Sequence, residues 1–267
     1  MMHLLKKLFL GNAWLQPAYE LLFKVAVKGM NYDRGHVPGL SGEKYVLQRL
    51  KRKNGDRHLV VFDVGANTGQ YAAVAIAALK TNFHLHSFEP QVKAFTELAA
   101  ISRAPFFSPH QLALGAAAGE LDLYCDREGS AFASMYPSVY RDKGIILDQS
   151  EKVAVTSIDG FCDENDIRRI DLLKIDVEGH EIEVLKGCQR MIADGKIPLI
   201  QFEFGIASIK ARIFMADFID TLKDYDIYRI LRNGLRKIDY SEYAELFLTT
   251  NYLAIRKPGP GEGAACP

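Results

Sequence analysis

The chain lacks the marks of several protein classes. Its four cysteines, Cys125, Cys162, Cys188 and Cys266, are scattered and never form a C-x-x-C pair. Neither a zinc site nor a disulfide framework is expected, and a reducing cytoplasm is the natural home. Net charge is absent too: 33 lysines and arginines balance 33 aspartates and glutamates. That removes the broad electropositive footprint of a nucleic-acid-binding protein, and the short basic runs Lys51-Arg52-Lys53 and Arg168-Arg169 read as solvated helix ends. No apolar run is long enough to cross a bilayer. The first ten residues resemble the front of a signal peptide, but Gly11-Asn12 interrupts the apolar core and Glu20 and Lys24 follow soon after. An amphipathic N-terminal helix is expected instead.

What is present is a change of pattern near residue 56 of the 267. Residues 1–55 read as a helical extension. Pro17 suits a helix start, and Tyr19, Leu22, Phe23, Ala26 and Val27 recur at helical spacing as one apolar stripe. Such a stripe packs on the parent domain by default; contact with a second copy as a homodimer, or with a membrane surface, is the sharper alternative. Ser41 is placed to cap a second helix, with Glu43 in its first turn. Over residues 56–256 strands and helices alternate, the signature of a mostly parallel sheet with helices on both faces. Seven core strands are expected near 59–63, 84–88, 108–114, 170–175, 198–204, 226–231 and 247–255. Residues 115–155 break the alternation before the fourth core strand. They read as a β-rich insertion around Gly129-Ser130-Ala131-Phe132-Ala133-Ser134, serving as a substrate or cofactor lid. Residues 257–267, rich in glycine and proline, are expected to be disordered.

The most specific local signal is Val60-Val61-Phe62-Asp63-Val64-Gly65-Ala66-Asn67-Thr68-Gly69, a buried strand running into a glycine turn and a helix. The second strand ends in Phe88-Glu89-Pro90, where a carboxylate can accept hydrogen bonds from ribose hydroxyls. A dinucleotide site wants G-x-G-x-x-G, and the middle glycine is missing here. Asp63 at the strand end would repel a pyrophosphate, whereas it suits a cofactor with a positive sulfonium and an amino acid tail. The site therefore reads as one for S-adenosylmethionine. Gly65 and Gly69 give close approach, Asp63 and Asn67 meet the methionine end, and Glu89 takes the ribose diol. The plainer alternative is a strand-turn-helix with Asn67 or Thr68 as helix cap.

A second acidic passage, Leu173-Lys174-Ile175-Asp176-Val177-Glu178-Gly179-His180-Glu181, ends the fourth core strand. Asp176, Glu178 and His180 then gather at a carboxyl edge, and Glu203 in Ile200-Gln201-Phe202-Glu203-Phe204 comes to the same edge. His180 is the candidate general base, since imidazole titrates near neutral pH. Asp176 or Glu203 could orient it or bind acceptor hydroxyls. The plainer alternative is that Glu178 and Glu181 simply favour a helix N-terminus. Asp176 and Glu203 could share a hard cation such as magnesium, but no third ligand is fixed and no metal is assigned. His84 and His86 read as strand-face residues.

With these passages in place, the chain resembles the FkbM family of S-adenosylmethionine-dependent methyltransferases. Weaker matches are Gly29-Met30-Asn31-Tyr32, Leu112-Ala113-Leu114-Gly115 and Ser157-Ile158-Asp159-Gly160-Phe161. The last departs from the family at Gly160, where members often carry an acid. The resemblance implies the Rossmann-like class I methyltransferase sheet and O-methylation of a hydroxyl on a sugar, glycan or secondary metabolite. It maps the cofactor positions onto Asp63, Gly65, Asn67, Gly69 and Glu89, with Ala66 and Pro90 inside the same motifs. Ala113 falls near the adenine, and Asp176 faces both cofactor and acceptor. The competing expectations are a non-catalytic module that keeps the cofactor fold and a nicotinamide-dependent oxidoreductase.

Overall fold

The computed structural model describes residues 9–33, 35 and 39–259. Two helices come first, α1 (Gln16–Gly29) and α2 (Glu43–Asn54). A βα alternation follows: β1 (Leu59–Val64), α3 (Gln70–Leu79), β2 (Phe83–Phe88), α4 (Val92–Ala99) and β3 (Phe107–His110). The insertion holds β4 (Ala113–Leu114), β5 (Gly119–Cys125) and β6 (Gln149–Thr156). After it come α5 (Ile158–Glu164), β7 (Leu172–Ile175), α6 (Glu181–Lys186), α7 (Gln189–Ala193) and β8 (Leu199–Phe204). The chain closes with α8 (Ile206–Ala211), α9 (Met215–Thr221), β9 (Tyr225–Leu231), β10 (Gly234–Lys237) and β11 (Thr250–Arg256).

The main sheet has the order β10-β9-β11-β8-β7-β1-β2-β3. Strands β3, β2, β1, β7 and β8 are parallel, while β11, β9 and β10 are antiparallel. The sheet therefore has eight strands where seven are expected, because β9 turns back into the short β10. A second difference concerns residues 108–114. They divide between β3 on the main sheet and β4, which joins a three-stranded sheet of order β4-β6-β5. Strands covered on both faces carry continuous apolar runs, and β1 is the example: Leu59, Val61, Phe62 and Val64 are all buried. Helix α3 offers Ala72 and Ala75 to the sheet, both fully buried, so small side chains let it lie close behind the turn after β1.

The N-terminal region divides. In α2, Val46, Leu47 and Leu50 share one apolar cluster with Val61, Ala72 and Leu85, so this helix is packed into the core rather than set apart. In α1 only Val27 is buried, and Tyr19, Leu22 and Phe23 are exposed. The apolar stripe does not cover itself on the parent domain. Ser41 does not cap α2: Gly42 holds the cap position at φ +79°, and Ser41 donates to the Glu43 carboxylate at 3.0 Å. Residues 257–259 of the expected tail follow β11 without regular structure, and 260–267 lie outside the described residues. No helix among the described residues is long and apolar enough to cross a membrane.

Candidate active site

A cavity of about 890 Å³ opens at the carboxyl ends of β1, β2 and β7. Strand order reverses there, between β2 on one side of β1 and β7 on the other, the place where open α/β sheets bind ligands. The turn after β1 gives Gly65, Ala66 and Asn67 to the wall. Gly65 has φ +79°, and a Cβ on it would sit 1.8 Å from the Asp176 carbonyl oxygen. Only glycine lets this turn lie against the end of β7. Gly69, expected to give the cofactor close approach, does not line the cavity. At φ +87° its added Cβ would lie 1.9 Å from Ile101 Cδ1 and 2.9 Å from Leu98 Cδ1, so it is an α3–α4 packing position.

Glu89 is buried and faces the cavity just past β2. The backbone N–H of Asn67 donates to its Oε2 at 2.8 Å, and that of Gln91 to its Oε1 at 2.9 Å. Burial pushes this carboxyl up to about 7 against those two bonds. Pro90 and Ala113 also line the cavity, and Leu112 and Leu114 complete an apolar wall.

Asp63, expected to meet the cofactor's methionine end, lies outside the cavity lining and is fully buried. The reason is register: Asp63 and Lys174 are Cα partners across β1 and β7. Lys174 Nζ lies 3.2 Å from Asp63 Oδ1, and Ser87 donates to Oδ2 at 3.5 Å. The same ammonium reaches Asp176 Oδ2 at 3.3 Å and stands 5.1 Å over the Tyr71 ring. Burial works against the lysine charge, yet Asp63, Asp176 and Glu43 outweigh it and hold its pKa well above the ordinary value. Lys174, which does line the cavity, is thus set in place by Asp63.

Next to Lys174 three carboxylates converge. One oxygen each of Asp176, Glu178 and Glu203 lies within 4.8 Å of the others. Burial, then repulsion from Asp176, pushes Glu178 up to about 8, and burial with both neighbours holds Glu203 well above the carboxylate range. Tyr140 donates its hydroxyl to Glu178 Oε2, and Ser134 donates to the Glu178 carbonyl at 2.7 Å. These oxygens can accept from hydroxyl groups or ligate a hard cation, and Glu178 is the third oxygen donor that strand ends alone did not fix. Glu181 has the structural role: buried, it clamps the turn by accepting from the N–H groups of Val177 and Gly179, both at 3.1 Å.

His180 lines the same cavity and precedes α6. Burial lowers its pKa, so the ring is neutral near pH 7. Its Nδ1 has no hydrogen-bond partner among the described residues; neither Asp176 nor Glu203 orients it there.

The insertion forms one wall of the cavity. Asn67 Nδ2 and Gln91 Nε2 donate to the Ser130 carbonyl at 3.3 and 3.0 Å, tying its loop to the cofactor turn, and Phe132, Met135 and Tyr140 stand in the wall. Three wall residues escape motif reasoning altogether: Glu43, Lys143 and Arg232. Glu43 had one legible signal, an acid in a helix's first turn; Lys143 ends a short 3-10 helix in the insertion, and Arg232 stands in the bend between β9 and β10.

Residues 63–226 match the family model described as the Methyltransferase FkbM domain. Hexuronic acid methyltransferase AglP of Haloferax volcanii is 27% identical over 172 residues, which cover 62% of this chain and 65% of that protein. The chain thus spans just under two thirds of that relative's length. Among solved structures, Methyltransferase FkbM from Methylobacillus flagellatus KT is 20% identical, with a TM-score of 0.46, over 74% of this chain and 44% of its own. Fibrillarin of Aeropyrum pernix, in complex with S-adenosyl-L-methionine, is 10% identical, with a TM-score of 0.40, over 78% and 73%.

Proposed function

Because this chain belongs to the FkbM methyltransferase family, we propose that it moves the methyl group of S-adenosylmethionine to a hydroxyl oxygen of a sugar, glycan or related metabolite. One observation carries this: a single cavity joins the backbone-held carboxyl of Glu89 to His180 and the three carboxylates of Asp176, Glu178 and Glu203. Bound S-adenosylmethionine supplies an electrophilic methyl on a positive sulfonium. The wall sets five acidic side chains, Glu43, Glu89, Asp176, Glu178 and Glu203, among four basic ones, Lys44, Lys143, Lys174 and Arg232, so it offers both acceptors and donors to the ribose and the amino acid tail. The family match disfavours the nicotinamide alternative, whose glycine fingerprint lacks its middle glycine here. The family match also disfavours the non-catalytic module.

In this proposal Glu89 accepts from the ribose hydroxyls, Ala113 lies beside the adenine, and Lys174 and Asp176 meet the amino acid tail. Asp176, Glu178 and Glu203 also hold acceptor hydroxyls. Neutral His180, whose side chain lines the cavity, takes the acceptor proton, a contribution of about 10² to 10⁴ in rate. The Haloferax volcanii relative is named for hexuronic acid, and Lys143 and Arg232 in the wall offer positive charge to a carboxylated sugar.

Two measurements test this. In calorimetry the wild type binds S-adenosylmethionine, Glu89→Ala binds it more weakly, and His180→Ala binds it normally. With labelled donor, His180→Ala loses about 10² to 10⁴ in turnover, assayed on neutral and carboxylated sugars with and without magnesium. Absence of cofactor binding by the wild type sinks the proposal. Full turnover by His180→Ala removes only the assignment of the base.

A further inference from the structure

Helix α1 carries its apolar side chains outward. Trp14 just before it is 71% exposed, and within it Leu21, Leu22, Phe23 and Val25 are each more than half exposed. Exposed apolar side chains scattered singly are ordinary, whereas a contiguous set marks a surface that meets something. The helix is nevertheless fixed at one end. Val27 is buried, Asn31 Nδ2 donates to the carbonyls of Leu40 and Ile230 at 3.2 and 3.0 Å, and the Arg229 guanidinium lies 4.3 Å over the ring of buried Tyr32.

Which surface covers α1 follows from its shape and charge. At 3.6 residues per turn, the exposed Leu21, Val25, Leu22, Tyr19 and Phe23 sweep roughly 200° of the circumference, and Val27, buried against the domain, lies just beyond Phe23. Glu20, Lys24 and Lys28 occupy the remainder as one strip. A second protein helix needs a much narrower seam than that. A wide apolar face with aromatic residues and a lysine strip is the form of a helix lying in a lipid interface. Charge agrees: residues 1–30 hold four lysines, Lys6, Lys7, Lys24 and Lys28, against the single acid Glu20, in a chain whose net charge is zero. Residues 1–30 therefore carry a positive surplus beside the exposed apolar face.

We propose that α1 docks this protein on an anionic lipid surface, with Trp14, Leu21, Leu22, Phe23 and Val25 entering the interface and Lys24 and Lys28 meeting the headgroups. The segment after α1 leads to Ser41, Gly42 and Glu43, which line the cavity. Docking stands independently of the methyl-transfer assignment.

Trp14 is the sole tryptophan, so indole fluorescence reports on this segment alone. The full chain is mixed with vesicles of phosphatidylcholine, or of equal parts phosphatidylcholine and phosphatidylglycerol. With the anionic vesicles, Trp14 emission shifts to the blue and the protein sediments with the lipid, both weakened by salt. The double variant Leu22→Asp, Phe23→Asp lowers partition on the order of a hundredfold. Lys24→Glu with Lys28→Glu lowers partition to anionic vesicles about tenfold or more. Both pairs of side chains are solvent-facing, and the lysine pair decides the matter if the aspartate pair fails to fold. The proposal is overturned if the wild type neither sediments nor shifts with anionic vesicles, or if binding ignores salt and lysine reversal. It is equally overturned if the blue shift appears without lipid and follows protein concentration with a doubling of mass, for then a second copy covers the face.

Discussion

At the scale of single residues the decisive group is Lys174. Asp63 is fully buried, and its carboxyl faces one cation, the ammonium of Lys174. Removing one partner of a buried pair leaves an uncompensated charge, at a cost of about 3 to 5 kcal/mol. Lys174→Met is therefore expected to lower stability by about that much, and Asp63→Asn added to it should restore most of the loss. Urea unfolding of the two singles and the double measures the coupling. Additive losses would mean that the two side chains do not hold one another. The motif shows Asp63 at a strand end and Lys174 two residues before Asp176, but nothing in either passage shows that they face one another. That relation exists only once β1 and β7 are in register, so the sequence suggests a cofactor contact where the fold builds a support for Lys174.

At the scale of elements, legibility follows how local the determinant is. Among the parallel strands β1, β7 and β8 are readable because each is a largely apolar run that ends in a turn. Strand β10 escapes alternation, since it has four residues and two are basic; its bend is the two-residue loop Arg232-Asn233. The glycines of the turn after β1 are legible as residues but not in their reasons. Gly65 is demanded by the Asp176 carbonyl, and Gly69 by the side chains of Leu98 and Ile101. Side chains can move where a carbonyl cannot, so the two substitutions should differ. Gly69→Ala should cost about 1 to 3 kcal/mol, seen as a Tm lower by roughly 5 to 10 °C, with cofactor affinity little changed in the folded protein. Gly65→Ala should cost more and also weaken cofactor binding. Thermal melts and calorimetry on the pair separate the roles; equal behaviour would contradict the geometry. Tyr140 and Lys143 were illegible because the insertion brings them to the site through tertiary packing alone.

At the scale of the whole molecule the site is a reservoir of protons. Burial is the largest cause raising Glu89 and Glu181 to about 7 and Glu178 to about 8, from an ordinary 4.5. The folded state therefore binds more protons than the unfolded chain between pH 4.5 and about 8. Protonation favours folding across that window, so this contribution is complete below pH 4.5 and is lost as pH rises through 7 and 8. Crowding tells which acid matters most, since ionised Glu178 stands against Asp176 and Glu203 within 4.8 Å, whereas Glu89 and Glu181 each keep two backbone N–H donors. Glu178→Gln keeps an acceptor for the Tyr140 hydroxyl and cannot ionise. The cofactor-free protein is thus expected to lose on the order of 5 °C in Tm from pH 6 to pH 8.5, and Glu178→Gln to lose distinctly less. Scanning both proteins by fluorimetry across that range checks it. A wild-type Tm that rises with pH over the same interval would mean that the carboxyl cluster is ionised and paired in the folded state, and would overturn the assignment of Glu178 as a protonated acid in the resting site.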